Sequence, residues 1–206
     1  MFILFEGLDL SGKSTLCRAL RDRLGWEMRR NSLLPPGSNP AHARAESARL
    51  NREAPESEIG RLYWEAVRAD LGAYQPTGQP RIQDSTILLR SIAHHEAAGN
   101  RELAAAFRSL LPSHPVPLLA FVCRASREVR LRRLEGRISR KNDADEDFFI
   151  RDDPERFAKM EASLEQAAQQ QFGAEILDTS FLEDLSSRED LIEHILSLLP
   201  EDLRPF

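Results

Sequence analysis

Residues 2–15 read Phe2-Ile3-Leu4-Phe5-Glu6-Gly7-Leu8-Asp9-Leu10-Ser11-Gly12-Lys13-Ser14-Thr15. From Gly7 to Ser14 the pattern is Gly-x4-Gly-Lys-Ser, directly after an apolar run. This is the pattern of a phosphate-binding loop, and each fixed residue has a physical reason. Gly7 and Gly12 let the backbone turn tightly and approach an anion with no Cβ in the way. The N–H groups of Gly7, Leu10, Ser11 and Gly12, with those of Lys13, Ser14 and Thr15 in the first turn of the next helix, are the candidate donors to phosphate oxygens. The helix dipole adds favourable potential there. Lys13 is a mobile point charge that can follow a transferring phosphoryl group. Ser14 offers a hydroxyl to Mg2+, a cation that keeps several waters and takes few protein ligands. A glycine turn with a solvated lysine is the alternative, and it is judged by context: the motif needs a strand before it and a helix after it. Phe2 to Phe5 suits a short buried parallel strand, and Leu16, Ala19, Leu20 and Leu24 repeat at helical spacing over Lys13 to Leu24.

The chain around this stretch has 206 residues, the size of one α/β domain with room for a small appendage. Its net charge of −5 argues against a surface that coats a nucleic-acid polymer. A small phosphorylated ligand needs only a local positive site. The two cysteines, Cys17 and Cys123, read as buried free thiols in a reducing compartment. No apolar run approaches membrane-spanning length, and the N-terminus opens straight into the strand and loop rather than a signal peptide. A cytoplasmic enzyme is expected, with no membrane partner, a small-molecule phosphoryl acceptor, and a homodimer left open.

Further along, Trp26 to Asn31 is a short polar candidate for a second strand. Leu33 to Pro40 is broken by proline and glycine and must be a loop, at the sheet edge where such folds bind ligands. Ala41 to Asn51 and Ile59 to Tyr74 read as helices. In the second of these Leu62, Tyr63, Ala66, Val67, Ala69 and Leu71 form the apolar stripe, and Trp64, Glu65, Arg68 and Asp70 do not all fit it. Trp64 and Arg68, four apart, share a face. They could hold a planar ring and a phosphate, or be an ordinary stacked pair. Arg81 to Asp84 reads as a strand ending in a carboxylate, which would face the crevice beside the phosphate loop. Asp84 could bind Mg2+, accept a proton from the attacking hydroxyl, or cap the helix expected over Ser85 to Ala98. His94 and His95 are adjacent and point apart, so a shared metal is not expected. Arg101 to Leu111 is helical, Pro117 to Cys123 a buried strand, and Ser126 to Leu134 a short helix. The arginines Arg130, Arg132, Arg133, Arg137 and Arg140 then run into the acidic cluster Asp143, Asp145, Glu146 and Asp147. This stretch is either a solvated charged loop or a lid whose arginines close over a nucleotide. From Phe148 a helix is expected through Phe157, Met160, Leu164 and Ala168, then a strand at Glu175 to Thr179 and a closing helix at Ser187 to Leu199.

In this order of segments the chain resembles the thymidylate kinase family of nucleoside monophosphate kinases. Phe5-Glu6-Gly7-Leu8-Asp9 through Lys13-Ser14-Thr15 is close to that family's phosphate loop, including the acid at Asp9. Pro35-Pro36-Gly37-Ser38-Asn39-Pro40 looks like a degenerate Arg-Glu-Pro-Gly-Gly-Thr loop. Trp64 and Arg68 match its aromatic-x-x-x-Arg element, Asp84 its Asp-Arg-Tyr/His element, and Arg133 to Glu146 its lid. The resemblance implies a three-layer α/β sandwich of P-loop NTPase type, one kinase domain over 1–206, with a five-stranded, mostly parallel sheet in the order 2-3-1-4-5 and a lid at 136–150. It implies ATP and Mg2+ as donor and cofactor, with Ser14 and Asp84 organising the metal. Lys13, Asp84 and the lid arginines Arg133, Arg137 and Arg140 would be catalytic, Trp64 would stack on the acceptor base, Arg68 would hold its phosphate, and Asp9 would contact its sugar. Two departures bear on the acceptor: Leu33 or a neighbour stands where the family has an arginine in the first substrate loop, and Ser85 where it has the arginine after the strand-ending Asp. Arg90, one helical stretch on, is the candidate substitute. The expected function is therefore transfer of the γ-phosphoryl of ATP to a nucleotide such as dTMP or a nucleoside-like acceptor. The alternatives are a kinase of a neutral small molecule and a nucleotide-binding switch without turnover.

Overall fold

A computed structural model describes residues 1–51, 54–138 and 149–204. The expected lid at 136–150, with Arg140 and the acidic cluster, lies for the most part outside the described residues. The elements run β1 (Phe2–Glu6), α1 (Lys13–Leu24), β2 (Glu27–Arg30), α2 (Pro40–Leu50), α3 (Glu56–Ala73), β3 (Arg81–Asp84), α4 (Ile87–Ala97), α5 (Arg101–Arg108), β4 (Leu119–Arg124), α6 (Arg127–Ile138), α7 (Phe149–Asp152), α8 (Pro154–Phe172), β5 (Glu175–Asp178) and α9 (Leu185–Ser197). The strands form one sheet in the order β2-β3-β1-β4-β5, and every pairing is parallel.

Alternation along β1 makes the three layers. Phe2 and Leu4 point into a core with Val67 of α3, Ile92 of α4 and Leu164 of α8. Ile3 and Phe5 point the other way, against Leu16 and Leu20 of α1 and Ile195 of α9. Because strand side chains alternate with period two, one residue's shift in register would exchange the two cores. Central parallel strands are buried on both faces, which is why Phe2 to Phe5 reads as a continuous apolar run.

The structure decides several local alternatives and corrects two expectations, the unbroken helix from Phe148 and the place of Ala69 in the stripe. α4 is capped by the Thr86 hydroxyl, which accepts from the Leu89 N–H, so Asp84 is not its cap. The helix expected from Phe148 is interrupted: Asp153 caps a new helix whose first residue is Pro154, as the fixed proline φ and missing N–H favour. Asp70, which does not fit the apolar stripe, is buried all the same, accepting from Ser32 Oγ (2.5 Å), Leu33 N (2.6 Å) and Asn39 Nδ2 (2.6 Å), and so pins the loop after β2. Ala69, expected in the stripe, is exposed. Of the histidine pair, His95 is core: it stacks on Phe107, and burial pushes it down to about 4. His94 meets Glu56 at 2.7 Å instead.

Candidate functional site

The carboxyl ends of β1, β3 and β2 lie level, Phe5 pairing with Asp84 and Arg30 with Asp84. The loop from β1 to α1 leaves this edge. Gly7 turns it with φ 142°, and a Cβ there would stand 2.5 Å from the Cys123 carbonyl oxygen, so β4 admits only glycine. Gly12 opens α1 with φ 84°, and a Cβ on it would meet Leu182 at 2.7 Å. Leu10 is left-handed at φ 65°. No side chain caps α1, so the N–H groups of Lys13 and Ser14 are left for an anion at the positive end of the helix dipole, whereas the Thr15 N–H, expected among the donors, is taken by Gly12 O (2.9 Å).

Lys13 reaches across to β3: its Nζ donates to Asp84 Oδ1 at 2.7 Å, both side chains being buried. Burial alone would raise the Asp84 carboxyl, but the Lys13 charge and hydrogen bonds from Lys13 and Ser14 outweigh it and hold the pKa below its ordinary value. Asp84 Oδ2 is buried with no hydrogen-bond partner among the described residues. An ionised carboxylate with a free oxygen, beside a serine hydroxyl at the phosphate loop, fits the oxygen chemistry of Mg2+. Among the described residues no group of three or more His, Cys, Asp or Glu could hold a metal. A cation here would therefore take Ser14, Asp84, waters and phosphate oxygens.

On the other face of the sheet, Glu6 is fully buried and its Oε1 accepts from Thr86 N (2.6 Å) and Thr86 Oγ1 (2.8 Å). Burial pushes its pKa up to about 7, against the lowering effect of Thr86, Lys13 and Arg90. Ser85, the position at which the resemblance expects arginine, has φ 67° and a buried hydroxyl with no hydrogen-bond partner among the described residues. Arg90 of α4 pairs with Asp9 at 2.8 Å. Burial would raise Asp9, but Arg90, Lys13 and Arg137 carry more weight and lower its pKa, which puts Arg137 in the field of the same crevice.

Other site residues fall as follows. Trp64 and Arg68 stack on α3, with the guanidinium carbon 4.8 Å from the ring centroid. Trp64 packs against the core, its Nε1 buried without a partner among the described residues, and Arg68 is exposed. Arg133, expected in a closing lid, sits on α6 with its donors engaged: Nη1 to Leu10 O (2.9 Å), Nη2 to Thr179 O (2.7 Å) and Nε to Glu183 (2.7 Å). Thr15, the third residue of α1, is exposed, and Ser11 is buried with no partner for its hydroxyl among the described residues.

Sequence reasoning missed Arg30. It is exposed at the end of β2, shares a face with Asp84 by register, and its charge helps lower that carboxyl. The signal was present, since a basic residue ending a strand faces the same crevice as an acid ending its neighbour. It was hidden because the strand was too short and polar to bound.

No family model and no curated protein matches the chain. Solved structures match it over almost its whole length. The deoxyadenosine kinase from M. mycoides with bound dATP is 17% identical, with a TM-score of 0.62 over 96% of this chain and 100% of that one. The thymidylate kinase from Candida albicans is 19% identical, with a TM-score of 0.59 over 96% of this chain and 93% of its own. The thymidylate kinase from Ehrlichia chaffeensis is 16% identical, with a TM-score of 0.62 over 96% and 98%. At such identities the likeness establishes a shared fold, a three-layer α/β sandwich, which here has the strand order 2-3-1-4-5.

Proposed function

We propose that this chain is an ATP- and Mg2+-dependent phosphotransferase acting on a nucleotide such as dTMP or a nucleoside-like acceptor. The observation that carries the reading is the Lys13–Asp84 pair at 2.7 Å, set at the carboxyl edge of the sheet directly behind a glycine-turned loop. The donor's phosphates would lie on the N–H groups of Gly7, Leu10, Gly12, Lys13 and Ser14, while those of Ser11 and Thr15 donate to Leu8 O and Gly12 O. Lys13 would leave Asp84 for the β- and γ-phosphates, and Asp84 with Ser14 would then hold the cation. Mg2+, when bound, supplies charge neutralisation between the transferring and leaving oxygens. Most of the catalysis is then positioning, because a phosphoryl transfer of this kind asks little covalent chemistry of the protein. Arg137, whose charge helps lower the Asp9 pKa, would add positive charge over the transferring group, with Arg140 in the proposed lid of a single 1–206 domain. The fold is shared with a deoxyadenosine kinase that binds dATP and with two thymidylate kinases, which supports a nucleotide on at least the donor side.

On the acceptor side, Trp64, beside Arg68, would stack on a base, and Asp9, fixed by Arg90, would contact a sugar. Arg30 and Arg68 are the exposed cations available to an acceptor phosphate. Ser85 favours a second reading. Its buried hydroxyl replaces a guanidinium that cannot be mimicked by serine, so the acceptor would carry less negative charge, and a neutral nucleoside or other hydroxyl compound would fit. ADP release with ATP and Mg2+, measured against nucleoside monophosphates and free nucleosides, tests the proposal. Turnover that needs an acceptor and is lost in both Lys13→Ala and Asp84→Asn supports it. ATP binding without turnover on any acceptor overturns it.

A further inference from the structure

Arg130 belongs to a charged run that reads as solvated, yet its side chain is 1% exposed. Each of its donor groups is used. Nε donates to Ala125 O (3.0 Å), Nη1 to Asp9 O (3.1 Å), and Nη2 meets Glu161 of α8. The guanidinium also lies 4.9 Å over the Phe157 ring of α8. One turn later on the same helix, Arg133 holds Leu10 O, and from the end of β5 the Thr179 hydroxyl donates to Ser11 O. Three successive carbonyls of the phosphate loop are thus held from outside, by α6 and by the end of β5.

A trans peptide is planar, so its C=O and the following N–H point in opposite directions. Drawing Asp9 O towards Arg130 turns the Leu10 N–H away from α6, and drawing Ser11 O towards Thr179 turns the Gly12 N–H away from β5. Neither N–H has a protein partner among the described residues. We propose that Arg130 is a positioning residue that presets the Leu10 N–H for the donor's phosphates and ties that setting, through Glu161, to helix α8. The inference rests on the phosphate-loop reading of the proposed function. A buried guanidinium is suited to the task because its planar fork holds carbonyl and carboxylate together, which an ammonium cannot do. Arg130 touches no reacting atom, so its removal acts through the loop.

The test is calorimetric binding of ATP and of inorganic tripolyphosphate, with melting temperature measured alongside. Arg130→Met strands Glu161 and is expected to lower both stability and affinity. In Arg130→Met/Glu161→Gln the stranded charge is gone, and the melting temperature recovers towards the parent. Affinity for both polyphosphates is expected to stay about tenfold to a hundredfold weaker, the size of one lost hydrogen bond to a charged group. Arg130→Lys keeps a cation opposite Glu161 and is the second variant: it folds, and binds both ligands about tenfold more weakly. Parent-like affinity in the folded double variant or in Arg130→Lys would show a purely structural arginine and overturn the inference. If the parent itself binds neither ligand in a Lys13-dependent manner, the phosphate-loop reading fails and the inference fails with it.

Discussion

Replacing Lys13 tests the site without any ligand. In the structure its ammonium is the direct partner of Asp84, 2.7 Å away, with exposures of 6% and 0%. Lys13→Met keeps the apolar stem and deletes the charge, leaving a buried carboxylate whose Oδ2 already lacks a partner among the described residues. Breaking a buried pair from one side costs about 3–5 kcal/mol. Arg30, level with Asp84 on β2, supplies part of the lost compensation, so the lower end is expected. For a chain of this size about 3 kcal/mol is a fall of roughly 6–12 °C in melting temperature. The pH dependence has a definite sign. In the parent the Asp84 pKa is depressed, so its contribution is present above the ordinary carboxyl value and is lost as pH falls through the depressed one. In Lys13→Met burial is largely unopposed and the pKa rises, so the deficit is greatest at pH 8 and shrinks towards pH 5 as the carboxyl takes up a proton. Lys13→Met/Asp84→Asn should recover most of the loss at pH 8. Circular-dichroism melts of the three proteins at pH 5, 6.5 and 8 decide the matter. A Lys13→Met deficit below about 2 °C, or one equal at all three pH values, would refute the buried pair, since about 3 kcal/mol could not then be at stake.

Glu6 makes a separate pH prediction. Its folded pKa is raised from 4.5 to about 7, so its contribution to stability is present below 4.5 and is lost as pH rises to about 7. At about 1.4 kcal/mol per pH unit this is of order 3 kcal/mol, and urea titrations should show that slope vanish in Glu6→Gln. Gly7→Ala is expected to destabilise the chain by several kcal/mol (roughly 2–5) and to abolish ATP binding, because its Cβ would stand 2.5 Å from a β4 carbonyl. A melting temperature within about 2 °C of the parent would contradict it. For an anionic acceptor, Arg30→Ala and Arg68→Ala should each raise the acceptor KM about tenfold or more while leaving the ATP KM unchanged. For a neutral acceptor both values should stay near those of the parent.

Much of the framework is legible from local pattern. β1 and β4 sit inside the sheet, so their burial writes itself into short apolar runs, and Gly7 to Ser14 names its own geometry. Asp84 could be placed because a strand-ending acid points to the same edge as the loop. What local pattern cannot show is which polar residues distant segments will enclose. Asp70 looks like a helix-surface acid until the loop after β2 folds onto it with two N–H groups and a hydroxyl. Arg130 looks solvated until Asp9 and Glu161, from opposite directions, close over it. The interruption before α8 was readable, since Asp153-Pro154 is a helix start in itself. The left-handed backbone at Ser85 was not, because nothing in serine announces φ 67°.

Phosphorus NMR of the protein with ATP, Mg2+ and a mixed pool of nucleoside monophosphates and nucleosides tests the central claim most directly. The account predicts loss of the γ resonance and growth of one new organic phosphorus signal, a diphosphate for a charged acceptor or a monoester for a neutral one, both absent in Lys13→Ala. ATP left intact, or converted only to inorganic phosphate at a rate the acceptor pool does not change, would contradict it.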